Sequence, residues 1–381
     1  MATPATDRDA PGQREPRAAS LRVALLGPTA WPEVRRGAER MFRELAGGLV
    51  EREHRVTLIA SHPGPPSQRR EGGVDVVRSW RPPDGRLRRR GYEDGLTHVP
   101  ASYLALRRLD PDLAHASHGP DAAAAVRWAR RRRRPAVFSF TGIPDRRWLV
   151  ERRLRLELML EAVRGSAAVV ALSRHAADAF RRWLGVEARV IPPGVDLDAY
   201  HPGRERDERP TILCTSPLEV PAKRVELLLA ALPAVRRARP DARLVLQRPA
   251  DPALARQAAG PGVELMDTDP ALLAPAYRAA WVTALPSVGE AFGLVLAESL
   301  ACGTPVVGRE AGGVPEVVDR PEVGRTFAGD DPGELARALL EALELAEDPA
   351  TAGACRDRAD ELSLERCVTA YETLYRELLG A

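Results

Sequence analysis

Residues 286–307 read PSVGEAFGLVLAESLACGTPVV, and this stretch carries the strongest structural signal in the chain. An apolar run ends just before it, Glu290 lies at a turn, and a predicted helix that begins with small residues follows. The first N–H groups of a helix lack backbone partners and carry the positive end of its dipole, which suits a diphosphate. Glu290 and Glu298 are slightly more than two helical turns apart, so both carboxylates can face one cleft and accept hydrogen bonds from hydroxyl groups. Two isolated glutamates would more often complement a helix dipole or face solvent, but the whole string favours a binding site.

Alternating strand and helix patterns extend from this stretch in both directions. In the first half, strands are predicted at 21–26, 56–60, 74–79, 113–116, 136–140, 167–172 and 188–191, and helices at 38–52, 101–109, 121–134, 148–164 and 174–183. In the second half, strands are predicted at 211–214, 242–246, 263–266, 281–285 and 305–308, and helices at 223–238, 271–280, 292–301, 332–346 and 363–379. Residues 192–210, rich in Pro, Gly and charge, separate the two series. Such alternation implies parallel sheets that bind ligands beyond the carboxyl ends of their strands.

The composition is that of a globular protein whose two halves differ in charge. The chain has 381 residues, 44% of them hydrophobic, which is enough for two domains of ordinary size. Residues 1–200 carry 36 arginines and no lysine against 24 acidic residues, a net charge of +12, whereas the rest carries 20 basic and 29 acidic residues, a net charge of −9. No apolar run is long enough to span a membrane, and residues 1–20 have no signal-peptide pattern. We therefore expect a cytoplasmic protein with a disordered leader at 1–20.

Four motifs together resemble the retaining glycosyltransferases of family 4, also called glycosyl transferases group 1. The stretch after Leu285 is similar to the family signature of two glutamates separated by seven residues. Residues 311–318, AGGVPEVV, are similar to its Gly-Gly-x-Pro-Glu segment, and residues 190–196, VIPPGVD, are similar to its domain junction. Residues 37–39, GAE, are similar to the Gly-Gly-x-Glu loop that opens the first helix. The resemblance covers about residues 21–379 in family order.

The resemblance implies the GT-B architecture, an α/β fold in which two Rossmann-like domains face each other across a cleft. Residues 21–200 would form the acceptor-side domain, with loops such as 62–72 and 80–100 near the acceptor. Residues 201–362 would form the donor-binding domain, and residues 363–381 a final helix that crosses back to the first domain.

The resemblance also implies roles for residues of the quoted stretch. Glu298 would hold the donor ribose, and Glu290 would act on the transferred sugar in the catalytic step. The amides of Phe292 and Gly293 would lie near the sugar and the diphosphate.

Glycines and an acid of the other motifs receive roles as well. Gly37 would let the backbone approach the phosphate or the acceptor, since a side chain there would block it. Gly313 is expected at the donor site, and Glu316 is a candidate to line the cleft.

Lys223 is the only lysine among 56 basic residues and lies at the predicted start of the second domain's first helix. By the resemblance it would be catalytic, neutralising the departing diphosphate together with an arginine that the family usually carries a few residues earlier. Pro217 stands where that arginine is expected, so Arg224 or Arg248 is the candidate substitute. A surface lysine that opens a helix is the plain alternative for Lys223.

A second departure from the family lies in the turn Phe140-Thr141-Gly142, where many members carry a histidine beside the sugar. The resemblance implies that the donor phosphate itself serves as the base, so Thr141 need not abolish activity. His115 and His118, at the end of the strand at 113–116, are candidates to line the same cleft. A turn or supporting role suits these two histidines equally well.

No obligatory metal ion or other cofactor is expected. Asp-x-Asp triplets at 110–112, 196–198 and 267–269 arise easily among 53 acidic residues, and metal binding through them belongs to a different glycosyltransferase fold. Arginine runs at 86–90 and 130–134 suit a peripheral contact with anionic lipid at the inner face of a membrane, although a solvated basic surface is the simpler explanation. Nucleic acid is not expected, because no aromatic interleaving or known module accompanies the arginines.

The sequence thus predicts a retaining hexosyltransferase that moves a hexosyl group from a nucleotide-diphosphate sugar to a hydroxyl of a lipid, a glycan or a small metabolite. Pro217 and Thr141 keep an alternative open, a non-catalytic homologue that binds a nucleotide sugar or a protein partner. A dinucleotide oxidoreductase is disfavoured because the first turn, residues 27–30, lacks Gly-x-Gly-x-x-Gly.

Overall fold

The computed structural model describes residues 19–31, 33–34, 37–203, 206–267 and 269–380. Residues 1–18 of the predicted leader lie outside the described residues. The described strands form two sheets, one of eight strands from the first half of the chain and one of six from the second half. This organisation is the predicted α/β fold of two Rossmann-like domains.

The first sheet is parallel except at one edge. Its strands are β1 Arg22–Leu26, β2 Arg55–His62, β3 Ser67–Glu71, β4 Val74–Trp80, β5 Leu113–Ala116, β6 Ala136–Phe140, β7 Ala168–Ala171 and β8 Arg189–Val190. The helices are α1 Gly37–Glu51, α2 Gly85–Arg89, α3 His98–Leu109, α4 Gly119–Arg132, α5 Arg146–Glu151, α6 Arg155–Gly165 and α7 Arg174–Leu184. The strand order is β3-β4-β2-β1-β5-β6-β7-β8, and β3 pairs with β4 in the antiparallel sense.

All strand pairs of the second sheet that the structure describes are parallel, in the order β11-β10-β9-β12-β13-β14. These strands are β9 Thr211–Cys214, β10 Arg243–Gln247, β11 Val263–Met266, β12 Val282–Leu285, β13 Val306–Arg309 and β14 Gly324–Phe327. The helices are α8 Val225–Ala238, α9 Pro252–Ala258, α10 Leu273–Ala279, α11 Leu294–Ala301, α12 Pro332–Leu345, α13 Thr351–Asp360 and α14 Leu364–Leu379. Short 3-10 helices span Pro221–Lys223, Pro270–Leu272 and Val314–Glu316.

The central strands are the elements that the sequence predicts best. Every residue of β5, β6, β9 and β12 is buried, because helices cover both faces of a parallel sheet. Such strands read as short uninterrupted apolar runs. Their carboxyl ends open toward the gap between the domains, where the helix starts and turns described below lie.

Several predicted elements differ from the structure. The single helix predicted at 148–164 is two helices, α5 and α6, because Leu154 adopts a left-handed conformation with φ of 67° between them. The acceptor-side loops at 62–72 and 80–100 contain β3 and α2. The elements α9, α13 and β14 were not predicted.

The chain passes between the domains twice, and the two passages pair with each other. The Val195 amide donates to the Leu362 carbonyl at 2.9 Å, and the Leu364 amide donates to the Val195 carbonyl at 2.8 Å. A Cβ on Gly194 would lie only 2.3 Å from Leu364 Cα. The glycine of the junction motif is therefore required by the close approach of the second passage.

After the second passage, helix α14 packs on α1 of the first domain. The Tyr375 hydroxyl lies 2.6 Å from His115 Nδ1, and the Ser139 hydroxyl lies 2.7 Å from His115 Nε2. The Tyr371 hydroxyl is 3.1 Å from the same serine. His115 is fully buried in this contact, so its candidate place in the cleft lining is wrong. The position of His115 at the end of β5 suggested a place in the cleft. Helix α14, which is distant in sequence, covers that position instead.

The buried His115 makes an acid-sensitive contribution to stability. Burial lowers its pKa to about 3 from the usual 6.5, so below pH 6.5 the unfolded chain binds a proton that the folded chain does not. The free energy of unfolding should therefore fall as the pH drops below 6.5, by up to about 1.4 kcal/mol per pH unit from this group. We expect His115→Gln to be less stable than the wild type at pH 7.5 but to lose less stability between pH 6.5 and about 5.

Urea denaturation of both proteins across that pH range measures the two slopes. Glu44 acts in the opposite direction, because burial raises its pKa to about 7 and favours the folded state as the pH falls below 7. Glu44 is present in both proteins, so the difference between their slopes isolates His115. Equal slopes would contradict this account of the histidine.

Candidate active site

The turn after β12 is shaped by two glycines. Gly289 has φ of 74° and Gly293 has φ of 103°, values that residues with a side chain rarely adopt. Helix α11 consequently begins at Leu294 rather than at the predicted residue 292. The Phe292 side chain is buried in the core and fixes the turn, which leaves its backbone, not its ring, as the part available to a ligand.

Glu298 lies on α11 with only 1% of its surface exposed. Its Oε2 accepts a hydrogen bond of 3.0 Å from the Tyr277 hydroxyl, and its Oε1 forms an ion pair with Arg40 of α1. Arg40 belongs to the first domain, so the pair joins the two domains across the cleft. The carboxylate is oriented by these partners, and Glu44 is a second partner of Arg40 at 3.4 Å.

A cavity of about 330 Å³ lies at this cross-domain contact. Trp31, Gly37 and Arg40 line it from the first domain. Its walls in the second domain come from the start of α11, from Glu298 and Tyr277, and from the ends of β10 and β11. A cavity at the carboxyl ends of parallel strands, between two domains, is where small ligands bind in folds of this kind.

Gly37 opens α1 at the edge of this cavity. A Cβ added there would meet no protein atom within 4 Å, so packing within the protein does not require the glycine. The predicted reason for it, close approach of a ligand to the backbone, stays a prediction.

Lys223 and Glu290 form an ion pair with 2.5 Å between Nζ and Oε1. The Val288 amide donates to the Ala222 carbonyl at 2.8 Å, so the two segments that carry the pair are joined through their backbones. Lys223 was predicted to begin α8. It lies instead in the 3-10 helix that precedes α8. Both side chains are half-buried, and Glu290 lies four residues before the start of α11, which lines the cavity.

Two consecutive glycines, Gly312 and Gly313, pack against the backbone of the turn that follows β12. The Gly313 amide donates to the Glu290 carbonyl at 2.8 Å. A Cβ on Gly312 would lie 2.2 Å from the Glu290 carbonyl oxygen, and one on Gly313 would lie 2.3 Å from that of Ala291. Gly313 therefore supports the turn after β12 through its backbone, and it is not among the residues that line the cavity.

Glu316 connects the domains at another point. Its carboxylate accepts hydrogen bonds from the backbone amides of Arg174 at 3.0 Å and His175 at 2.9 Å. These amides belong to the first turn of α7 in the first domain, where a negative charge also stabilises the helix dipole. Glu316 is thus placed at the domain interface as the N-terminal partner of a helix.

The two arginines considered as substitutes at the Pro217 position are engaged elsewhere. Arg224 pairs with Glu226 at 2.7 Å and with Asp330 at 3.2 Å. Arg248 pairs with Asp267 at 3.1 Å. Arg224 does not line the cavity, which argues against its predicted contact with the donor.

The first domain contains a second, larger cavity of about 480 Å³. His118 lines it from the start of α4, with its Nδ1 2.8 Å from the Ser117 hydroxyl and 3.5 Å from the buried Asp121 carboxylate. Thr141 is half-buried in the turn after β6 and is not among the residues that line this cavity, whereas His118 is.

Sequence reasoning missed two residues of α1, Glu39 and Arg40. Glu39 lines the larger cavity, and Arg40 reaches Glu298 across the smaller one. Both belong to the GAER segment that opens α1, so the motif itself was the available signal. Their side chains point in different directions because consecutive helical residues are about 100° apart around the axis.

Comparisons with known proteins agree with this geometry. Residues 35–199 match the family model for glycosyltransferase family 4, and residues 209–345 match the one for glycosyl transferases group 1. The phosphatidyl-myo-inositol mannosyltransferase of Mycobacterium leprae is 32% identical over 303 residues, which are 73% of this chain and 79% of that protein. The chain belongs to glycosyltransferase family 4. It is a glycosyltransferase, and the assignment made from the motifs is confirmed.

Other relatives of this family 4 enzyme match over shorter stretches. The D-inositol 3-phosphate glycosyltransferase of Segniliparus rotundus is 36% identical over 156 residues, only 34% of this chain and 33% of that protein. Two solved structures confirm the GT-B fold. Sucrose-phosphate synthase from Thermosynechococcus elongatus has a TM-score of 0.80 at 21% identity and covers 94% of this chain and 99% of its own. Anabaena HepE, solved with UDP-glucose, has a TM-score of 0.74 at 19% identity and covers 93% and 99%.

The described residues of this family 4 enzyme contain neither a candidate membrane span nor a candidate cluster of metal ligands. None of the helices among them is long and apolar enough to cross a bilayer. Three or more His, Cys, Asp or Glu side chains grouped as metal ligands do not occur in the described part of the chain.

Proposed function

We propose that this family 4 enzyme transfers a hexosyl group, with retention of configuration, from a nucleotide-diphosphate sugar to a hydroxyl acceptor. The observation that carries the proposal is the interdomain cavity, where the buried Glu298, paired with Arg40, lies one turn behind the start of α11. Glu290, on the turn that leads into the same helix, forms an ion pair with Lys223. A carboxylate, unpaired amides and an ammonium group in this order suit a ribose, a diphosphate and a leaving-group charge.

Glu298 is suited to hold the ribose. A carboxylate offers about four acceptor positions, and Tyr277 and Arg40 occupy two of those on Glu298. Ribose hydroxyl groups can take the remaining positions without displacing either partner. Nucleotide ligands in structures of the same fold support this class of donor: UDP-glucose in Anabaena HepE, and ADP with acarbose in starch synthase IV of Arabidopsis thaliana.

The diphosphate would lie at the start of α11, near the backbone of Phe292 and Gly293, with Lys223 neutralising its growing charge. As the bond between C1 and the phosphate oxygen breaks, the acceptor oxygen attacks C1 from the same face. The acceptor proton passes to the departing phosphate oxygen, so no protein base is needed. Glu290 would orient the ammonium group of Lys223 and accept hydrogen bonds from sugar hydroxyls. Because Lys223 and the helix dipole supply positive charge, we propose that no obligatory metal ion or other cofactor takes part.

We also propose a cytoplasmic enzyme that contacts the inner face of a membrane through its first domain. Val150 and Leu154 are 66% and 44% exposed on α5 and the turn after it, among several arginines. Arg153 in this turn pairs with Tyr92, which follows the arginine-rich α2. Exposed apolar side chains within a basic surface suit anionic headgroups. Binding to phosphatidylglycerol vesicles but not to phosphatidylcholine vesicles is the expected result of a sedimentation assay, and equal binding would count against it.

A panel of UDP-, GDP-, ADP- and dTDP-sugars tests the enzymatic proposal. We expect one donor to be consumed by transfer or slow hydrolysis in the presence of EDTA, with the new anomeric centre keeping the donor configuration by NMR. Inverted products or strict dependence on a metal would overturn the mechanism. Tight donor binding without turnover would instead favour a non-catalytic homologue. This second candidate is kept because Arg224, the candidate substitute for the arginine missing at Pro217, is paired with Asp330.

A further inference from the structure

The cavity in the first domain has a charge pattern that bears on the acceptor. It lies between the turn after β1, the loop before α3 and the α5–α6 pair, and its volume of about 480 Å³ falls within the ~300–1,000 Å³ range of small-molecule sites. The inference drawn from it rests on the proposed function, since it concerns the acceptor of that reaction.

Every arginine among the described lining residues is already paired with a carboxylate of the same lining. The pairs are Arg81 with Asp84 at 2.5 Å, Arg88 with Asp94 at 3.1 Å, and Arg155 with Glu93. Phosphate binds most strongly to guanidinium or ammonium groups whose charge is still available. Each arginine of the described lining is already paired, so a phosphorylated ligand would gain an arginine contact only by breaking an existing ion pair.

Glu39 adds a fourth carboxylate to this lining. It is 7% exposed, and its Oε1 accepts a hydrogen bond of 2.7 Å from the Thr29 hydroxyl. Its Oε2 is buried without a hydrogen-bond partner among the described residues. A buried carboxylate oxygen without a donor is costly, which indicates that a ligand donor completes it. A phosphate at physiological pH carries negative charge and would be repelled there.

The rest of the lining suits a sugar ring. Phe140 and Trp148 form an aromatic wall with 5.1 Å between their ring centres, and Met159 extends its apolar surface. His118 also lines the cavity and is oriented through its Nδ1 by Ser117 and Asp121. Apolar walls with a few fixed polar groups are typical of sites that bind small molecules.

We propose that this cavity binds an uncharged, hydroxyl-rich acceptor unit, a sugar or a cyclitol, and excludes its phosphorylated counterpart. The free Oε2 of Glu39 accepts a hydrogen bond from one acceptor hydroxyl, and the paired arginines and carboxylates present further donors and acceptors to the others. Selectivity against phosphate then comes from the pairing of every arginine in the described lining and from the Glu39 carboxyl group.

Saturation-transfer NMR with three matched pairs of probes tests this proposal in the full chain with UDP present. The pairs are methyl α-glucoside with glucose 6-phosphate, methyl α-mannoside with mannose 6-phosphate, and myo-inositol with myo-inositol 1-phosphate. We expect at least one neutral probe to bind at least tenfold more tightly than its phosphorylated partner. Glu39→Gln should weaken neutral binding at least fivefold, whereas Glu51→Gln, exposed at the end of the same helix and outside both cavities, should leave it unchanged.

The Asp94→Asn variant tests whether a free arginine restores binding of phosphorylated ligands, because the substitution releases the exposed Arg88 from its ion pair. This variant should bind the phosphorylated probes several-fold more tightly than the wild type. The proposal is overturned if phosphorylated probes bind as tightly as neutral ones, if Glu39→Gln binds like the wild type, or if no probe binds. A separate titration with UDP-sugars reports on the donor site, so failure of the proposed function is distinguishable from failure of the acceptor assignment.

Discussion

Replacing Lys223 with alanine is expected to lower kcat for glycosyl transfer by about 10²- to 10³-fold, the usual effect of removing one preorganised group that stabilises transition-state charge. Two changes act together in this variant. The departing diphosphate loses its ammonium partner, and the half-buried Glu290 carboxylate, now without its 2.5 Å ion pair, repels the growing negative charge. Because the charge grows mainly in the transition state, KM for the donor should change much less than kcat.

Steady-state kinetics with a saturating acceptor measures this split. Lys223→Arg is the matched control: it keeps the charge and the partner Glu290 but replaces a compact ammonium with a planar fork, so part of the activity should return. Thermal melting should show that both variants fold, since Lys223 is about one-third exposed. Turnover of Lys223→Ala within threefold of the wild type would remove the lysine from the mechanism.

Glu298→Gln is expected to weaken binding of the nucleotide-sugar donor by about 10- to 100-fold, the range for losing hydrogen bonds to a charged acceptor. The amide keeps the shape of the side chain and can still accept from Tyr277. The amide has no negative charge, so it loses the ion pair with Arg40 across the cleft. It also loses the charge that strengthens hydrogen bonds from the ribose hydroxyls in the wild type. Isothermal titration with UDP and with the full donor measures the loss, which should be similar for both because the ribose is common to them.

The control for this variant is Glu44→Gln. Glu44 is the other carboxylate beside Arg40, at 3.4 Å, but it does not line the donor cavity. A variant at this position therefore perturbs Arg40 while leaving the ribose site complete. Equal losses in the two variants would show that the effect passes through Arg40, and unchanged affinity in Glu298→Gln would contradict its assignment to the ribose.

The fold was largely predictable because its central strands are buried on both faces and read as continuous apolar runs. Elements without that signature were missed. Strand β3 reads SQRRE and lies at the sheet edge with its side chains mostly exposed, so no alternation marks it. The break between α5 and α6 depends on one left-handed leucine, Leu154, which has no sequence signal of its own.

The candidate site was predictable where the chemistry lies in one continuous stretch. Glu290, Glu298, Gly289 and Gly293 are local in sequence, and Gly313 follows in the next motif. The contact of Arg40 with Glu298 is not local, because it depends on how the two domains face each other. The position of His115 was predicted wrongly for the same reason, because its burial depends on a contact that is not local. Helix α14 covers the side chain, and no residue near His115 in the sequence indicates that contact.

The paired passages at Val195 and Ser363 make the two halves of the molecule mechanically interdependent. A motion that opens the cleft between the domains must bend both segments at the same point, because two backbone hydrogen bonds join them. This arrangement permits the domains to rock about that point and resists their rotation about the axis of the segments. A single proteolytic nick at residues 196–203 would leave the halves tethered through the other segment. The enzyme would then migrate as two fragments in denaturing conditions and as one particle in native ones.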